Sequence, residues 1–135
     1  MLIVPIPSTH IDFAWADGAD CLARACDTSG GEITGDQLKM ILARGERTLV
    51  QLKDGELIAG WGVIRVDQLP NKRVLFITDL VAPNVEFPRF LDPLKQMARQ
   101  MGCSSIRCAA KPAQERLYKM KTDFKPVYSI LEVQT

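Results

Sequence analysis

Apolar positions recur with two different periods along the chain, and the changes of period mark its elements. Leu2 to Ile6 is aliphatic and β-branched and predicts a strand. Ser8 and Thr9 then offer capping oxygens before Ile11, Trp15, Gly18, Leu22 and Cys26, a helical stripe that Ser29-Gly30-Gly31 ends. Thr34 with Gln37 forms a capping box ahead of Leu38, Ile41 and Leu42, and Gly45 is placed as the stop of this second, shorter helix. Residues 48–53 and 56–67 flank Asp54-Gly55 and predict an antiparallel hairpin, because both central residues of a type I′ turn need positive φ. Gly60 and Gly62 leave one face of the second arm bare, which either admits another backbone or marks a bulge.

After a Pro70-Asn71 turn, residues 73–81 hold a nearly continuous apolar run, the pattern of a strand covered on both faces, and this strand is expected at the middle of the sheet. Pro83 halts it. Phe87, Phe90, Leu91, Leu94, Met97, Ala98 and Met101 then follow helical spacing up to Gly102, although Asp92-Pro93, as a cap followed by a first-turn proline, predicts that the helix begins there. Residues 105–109 form a short strand, Pro112 opens a helix through Leu117 and Tyr118, and residues 127–133 alternate to predict a last strand. The order is β-α-α-β-β-β-α-β-α-β in one α+β domain, residues 1–135. An antiparallel hairpin joined to a right-handed βαβ unit over residues 73–109 makes the central sheet mixed.

Composition narrows the function classes. A hydrophobic share of 47% with 24% charged residues is that of a globular domain and excludes disordered, collagen-like and repeat classes. Seventeen Lys and Arg against sixteen Asp and Glu leave a net charge of +1, so no overall field draws the chain to nucleic acid or an anionic membrane. The apolar start lacks a basic region and is broken by two prolines, and no stretch nears the ~20 apolar residues of a span; a cytoplasmic protein is expected. The cysteines fall in two pairs, Cys21 with Cys26 on a helix and Cys103 with Cys108 across a strand, where reduced thiols are expected and no metal. His10, the one histidine, sits at a helix start, and the glycine-rich dinucleotide and P-loop fingerprints are absent. Asp79 lies near the carboxyl end of the apolar strand, where open sheets place a ligand crevice; its other reading is a solvated carboxylate. The second half is locally basic, with Asp and Glu interspersed as on a solvated face.

The element order, with Leu80-Val81-Ala82-Pro83 at a strand-to-helix junction and Tyr118 followed by Phe124, resembles the GNAT N-acetyltransferase superfamily over essentially the whole chain. The resemblance implies an acetyl-CoA site in which N–H groups at the helix start, beside Leu80 and Val81, hold the pyrophosphate. It also implies Tyr118 as the acid that protonates the leaving thiolate and Asp79, or a water, as the base. The phosphate-binding positions of the family motif read Glu86, Phe87, Arg89 and Leu91 here, all four departing from it. Glu86 brings like charge, Phe87 and Leu91 bring bulk, and Arg89 is the one residue able to grip phosphate with a guanidinium fork. The chain is therefore expected to be a GNAT-like binding or structural module without the usual loop, similar in size and layout to internal virion and accessory proteins of short-tailed bacteriophages. The alternative is an acyl-CoA-dependent N-acyltransferase acting on an amine. A protein partner, or a second copy, is expected at a sheet edge or on the Gly60/Gly62 face.

Overall fold

The computed structural model describes residues 1–83 and 86–135. Its five strands lie in the order of the chain. β1 (Leu2–Ile6), β2 (Thr48–Asp54), β3 (Leu57–Leu69) and β4 (Lys72–Val81) pair antiparallel in succession, and β5 (Ser105–Cys108) joins β4 in parallel from Val74↔Ser105 to Ile77↔Cys108. This is the expected mixed sheet of an α+β fold, with one correction: its centre is β3 and not the apolar strand β4. Because β1 adds beyond β2, the count on that side grows by one and β4 becomes next to the edge. The Asp54-Gly55 turn forms as expected, with Gly55 at φ 62°.

Alternation along the strands builds two cores. Leu49 and Val63 face α1 (Ile11–Ala14), α2 (Cys21–Cys26) and α3 (Gly35–Ala43), whose Leu22, Leu38 and Leu42 are fully buried against them. Val50, Leu52, Ile64, Leu75 and Ile77 face the other way, toward Phe90, Leu94 and Ala98 of α4 (Pro88–Gln100). The capping box of α3 is complete: Thr34 N–H donates to Gln37 Oε1 at 2.9 Å and Gln37 N–H to Thr34 Oγ1 at 3.2 Å.

The single first helix expected from the stripe is broken. A π-helical turn, Trp15–Ala19, separates α1 from α2 where Gly18 takes φ 121°, a conformation only glycine holds without strain. Ser8 and Thr9 do not cap either, since Pro7 takes the cap position of the short 3-10 turn Ser8–His10 and no side chain bonds there. The expected last strand over residues 127–133 does not form: beyond α5 (Pro112–Lys121) the chain has no regular structure and is exposed. Its root is held by Phe124 against Phe87 and Tyr118 and by Asp123 against Lys95 at 3.8 Å.

Two bulges bend the centre of the sheet. Leu52↔Gly60 is followed by Lys53↔Ile58, leaving Ala59 as the extra residue of β3, and Val63↔Asp79 is followed by Ile64↔Ile77, leaving Thr78 as the extra residue of β4. Both readings of Gly60 therefore hold, since it borders a bulge and also meets another backbone. That backbone is the chain's own: Gly60 lies against Val81 and Ala82, and Gly62 against Val50 and Leu80. Both glycines are buried, so the expected docking of a partner on their face is corrected. Among the described residues no helix is long and apolar enough to cross a membrane.

Candidate functional site

The bulge at Thr78 decides where the end of β4 points. Before it, Leu75 and Ile77 face α4; after it, Leu80 and Ala82 pack on that side, while Val81 joins the α1–α3 core. Asp79 shares the face of Val81 and is half-buried. Its Oδ2 accepts the Thr78 hydroxyl at 2.8 Å, and that hydroxyl also lies 3.3 Å from the Val63 carbonyl. Burial and then the charge of Asp79 push the Cys26 thiol up, with Asp27 adding and Arg47 opposing. A raised thiol pKa keeps Cys26 protonated and makes it a poor nucleophile.

Tyr118 sits on α5 in a triangle of rings. Its centroid is 5.0 Å from Phe87 and 5.7 Å from Phe124, and those two are 5.8 Å apart, the range of tilted aromatic packing. Burial, and then the Cys108 thiol, push the Tyr118 phenol above its ordinary value, so it remains a proton carrier at neutral pH. Phe87 packs into the α4 core, whereas Asp79 lies on the α1–α3 face. The nominated acid and base thus belong to different layers, and among the described residues no hydrogen bond links them. Leu80 and Val81 are likewise given over to packing, one in each core.

The start of α4 departs from expectation. It begins at Pro88, with Asp92 exposed on the helix body and Pro93 inside the helix. Pro88 suits the first helical position, where φ is already right and an N–H would have had no helical partner. The next two N–H groups are taken by the preceding turn: Arg89 N–H donates to the Glu86 carbonyl at 3.1 Å and Phe90 N–H to the Phe87 carbonyl at 2.9 Å. Arg89 reaches Asp54 Oδ2 in the hairpin at 3.4 Å, and Glu86 Oε1 takes Lys121 Nζ at 3.4 Å.

Among the described residues, the start of α4 offers the diphosphate of acetyl-CoA few free donors. A helix start binds an anion through free N–H groups. Here the first position has none, the next two are satisfied by the chain, the one guanidinium faces a carboxylate, and Glu86 adds negative charge. A cleft of about 610 Å³ lies instead beside Lys119 and Thr122 to Pro126, and one of about 310 Å³ along the outer face of α4 at Asp92, Lys95 and Arg99. Neither is bordered by Asp79 or Tyr118. No group of three or more His, Cys, Asp or Glu able to hold a metal occurs among the described residues.

Reading the sequence missed the Thr78 bulge, the pairing of Arg89 with Asp54 and the place of Phe87 under Tyr118. Only the first left a signal: Thr78-Asp79 is the polar interruption of an otherwise apolar run.

No family model and no curated protein matches the chain. Solved structures do. A probable acetyltransferase is similar with a TM-score of 0.66 at 19% identity, covering 100% of this chain and 97% of its own. An aminoglycoside acetyltransferase from an uncultured soil metagenomic sample, in complex with sisomicin, gives 0.65 at 12% identity, covering 98% of this chain and 93% of its own. A ribosomal-protein-alanine N-acetyltransferase from Brucella melitensis biovar Abortus 2308 gives 0.65 at 10% identity, covering 99% of this chain and 100% of its own. The chain has the GNAT fold.

Proposed function

We propose that this GNAT-fold chain is a binding or structural module and that acyl transfer from acetyl-CoA is not its role. The start of α4 carries this reading. In such a fold that helix end would hold the cofactor's diphosphate, yet here the Arg89 and Phe90 N–H groups, the Arg89 guanidinium and the Glu86 carboxylate are engaged with the chain itself. The aromatic triangle around Tyr118 supports the same conclusion, because it packs the phenol between two rings and sets it apart from Asp79. An accessory role of short-tailed-phage type belongs to this reading through size and layout; capsid and portal genes beside this one would support it, and a run of metabolic genes would remove it.

Titration calorimetry and thermal unfolding with acetyl-CoA test the proposal. A working site would stabilise the fold by about 2.7 kcal/mol at a hundredfold excess over the dissociation constant. The expected result is no saturable heat and no rise in Tm. Saturable binding that disappears in Arg89→Ala would overturn it and restore the acyltransferase reading, with Asp79 or a water as base and Tyr118 as acid.

A further inference from the structure

α5 is held to the molecule along one stripe. Glu115 and Tyr118 are half-buried, as is Thr122 just past the helix end, and every other residue of the helix is exposed. The three follow helical spacing, and the middle one, Tyr118, packs on Phe87 and Phe124. At about 100° per residue, the side of the helix opposite this stripe carries Ala113, Leu117 and Met120. Met120 is 83% exposed and Leu117 47%.

Charge is divided in the same way. Glu115, the one acid of the helix, belongs to the inner stripe, whereas Arg116 borders the apolar stripe on one side, with Lys119 beyond it, and Lys121 borders it on the other. Arg116 and Lys119 have no carboxylate partner among the described residues, and Lys121 stays exposed while meeting Glu86 at 3.4 Å. Lys111 and Lys125, both exposed, extend the cations past the two ends. An apolar stripe bordered by cations is the pattern of a helix that lies in a membrane surface. With 10 residues α5 is about 15 Å long, half the hydrocarbon thickness of a bilayer, so it can lie on a membrane but not cross one. The net charge of +1 on the whole chain does not oppose this, because exposed charges act over only ~10 Å at physiological salt. A phosphate backbone would suit the cations alone and set Leu117 and Met120 against charge.

We propose that the outward face of α5 docks flat on an anionic lipid surface. Leu117 and Met120 enter the boundary between headgroups and acyl chains, and Arg116, Lys119 and Lys121 meet the lipid phosphates. Docking of this kind is independent of acyl-CoA binding at the start of α4.

Flotation of the full chain with phosphatidylcholine vesicles, with and without phosphatidylglycerol, tests this. The wild type floats with the anionic vesicles and stays behind with phosphatidylcholine alone. Arg116→Gln and Lys119→Gln each weaken binding about fivefold. Met120→Ser weakens it about tenfold through lost apolar contact. Lys72→Gln, which removes an exposed cation at the start of β4, leaves it unchanged. The three α5 positions are exposed, and unchanged far-UV circular dichroism excludes unfolding as the cause of any loss. A wild type that ignores anionic vesicles overturns the proposal, as does equal binding to both vesicle types or a loss in Lys72→Gln as large as in Arg116→Gln. Binding of duplex DNA through Arg116 and Lys119, indifferent to Met120→Ser and without vesicle binding, identifies a polyanion site instead and overturns it too.

Discussion

Gly60→Ala puts the interior packing of β3 against β4 to a quantitative test. A Cβ built on Gly60 would lie 2.8 Å from both Cα and Cβ of Ala82 and would collide with the Val81 carbonyl oxygen. Carbon atoms in good contact stand about 3.5–4.0 Å apart, so one strand must move by roughly 1 Å. Both obstacles are main chain or attached directly to it, and the strand they belong to is tied into the ladder by Trp61↔Val81. Overpacking costs about 1–3 kcal/mol, and this case belongs in the upper half of that range because no flexible side chain can yield. The reduced freedom of the unfolded chain returns about 0.4–1 kcal/mol. The net loss is about 2 kcal/mol, a factor of roughly 30 in the folding equilibrium. Urea unfolding followed by tryptophan fluorescence reads it, since Trp61 is buried beside the change. With a slope near 1.5 kcal/mol/M the midpoint falls by about 1.3 M. Gly62→Ala is the internal comparison: its nearest obstacle is Val50 Cγ2 at 3.2 Å, a side-chain methyl that can shift, and its loss is smaller. Equal midpoints for Gly60→Ala and wild type, or an equal loss in the two variants, would refute the reasoning.

Two further expectations follow from local chemistry. Thr34→Ala removes one half of the α3 capping box and lowers stability by about 1 kcal/mol, read as a lower urea midpoint at unchanged slope, while Gln37→Ala removes the other half and costs less because the Thr34 oxygen still caps. Tyr118 has a folded-state pKa above its ordinary 10.0, so stability holds below pH 10 and falls as pH rises from there through the folded value, where the unfolded chain releases the proton first. Stability measured against pH in Tyr118→Phe should lack that part of the alkaline decline, and identical declines in the two proteins would contradict the burial of the phenol.

Local signals close to a turn or cap were legible because their causes are local. Asp54-Gly55 and Thr34…Gln37 each prescribe a backbone geometry within four residues, and both form. What failed depended on partners far along the chain. The stripe through Ile11, Gly18 and Cys26 is periodic enough for one helix, but Gly18 turns where the Trp61 indole, 43 positions later, stands 3.4 Å from the place its Cβ would occupy. Asp92-Pro93 has the chemistry of a helix start and is overruled by Pro88, whose first-turn geometry is equally good and which lets Phe90 reach the core. Arg89 reads as a phosphate ligand only while Asp54 is out of sight; 35 positions separate the pair, and no spacing rule connects a hairpin tip with a helix start. Residues 127–133 alternate as a strand must, yet alternation states only that a segment could pair and is silent about the chain that supplies the edge.

The separation of Asp79 from Tyr118 follows from a single inserted residue. Side chains along a strand alternate, so without an extra residue Asp79 would point the same way as Leu75 and Ile77, into the apolar core under α4. An ionised carboxylate there would lose its hydration with no cation to replace it. Thr78 prevents this in two ways: as the bulged residue it reverses the alternation, and its hydroxyl gives Asp79 a hydrogen bond at 2.8 Å. The reversal has a second effect. It sends Leu80 and Ala82 to the α4 side, where Ala82 comes against Gly60, while Thr78 to Val81 run on past the last pairing with β5, Ile77↔Cys108. A base at Asp79 could therefore act only on a substrate approaching from the α1–α3 face, the side away from the Phe87 ring on which Tyr118 is packed.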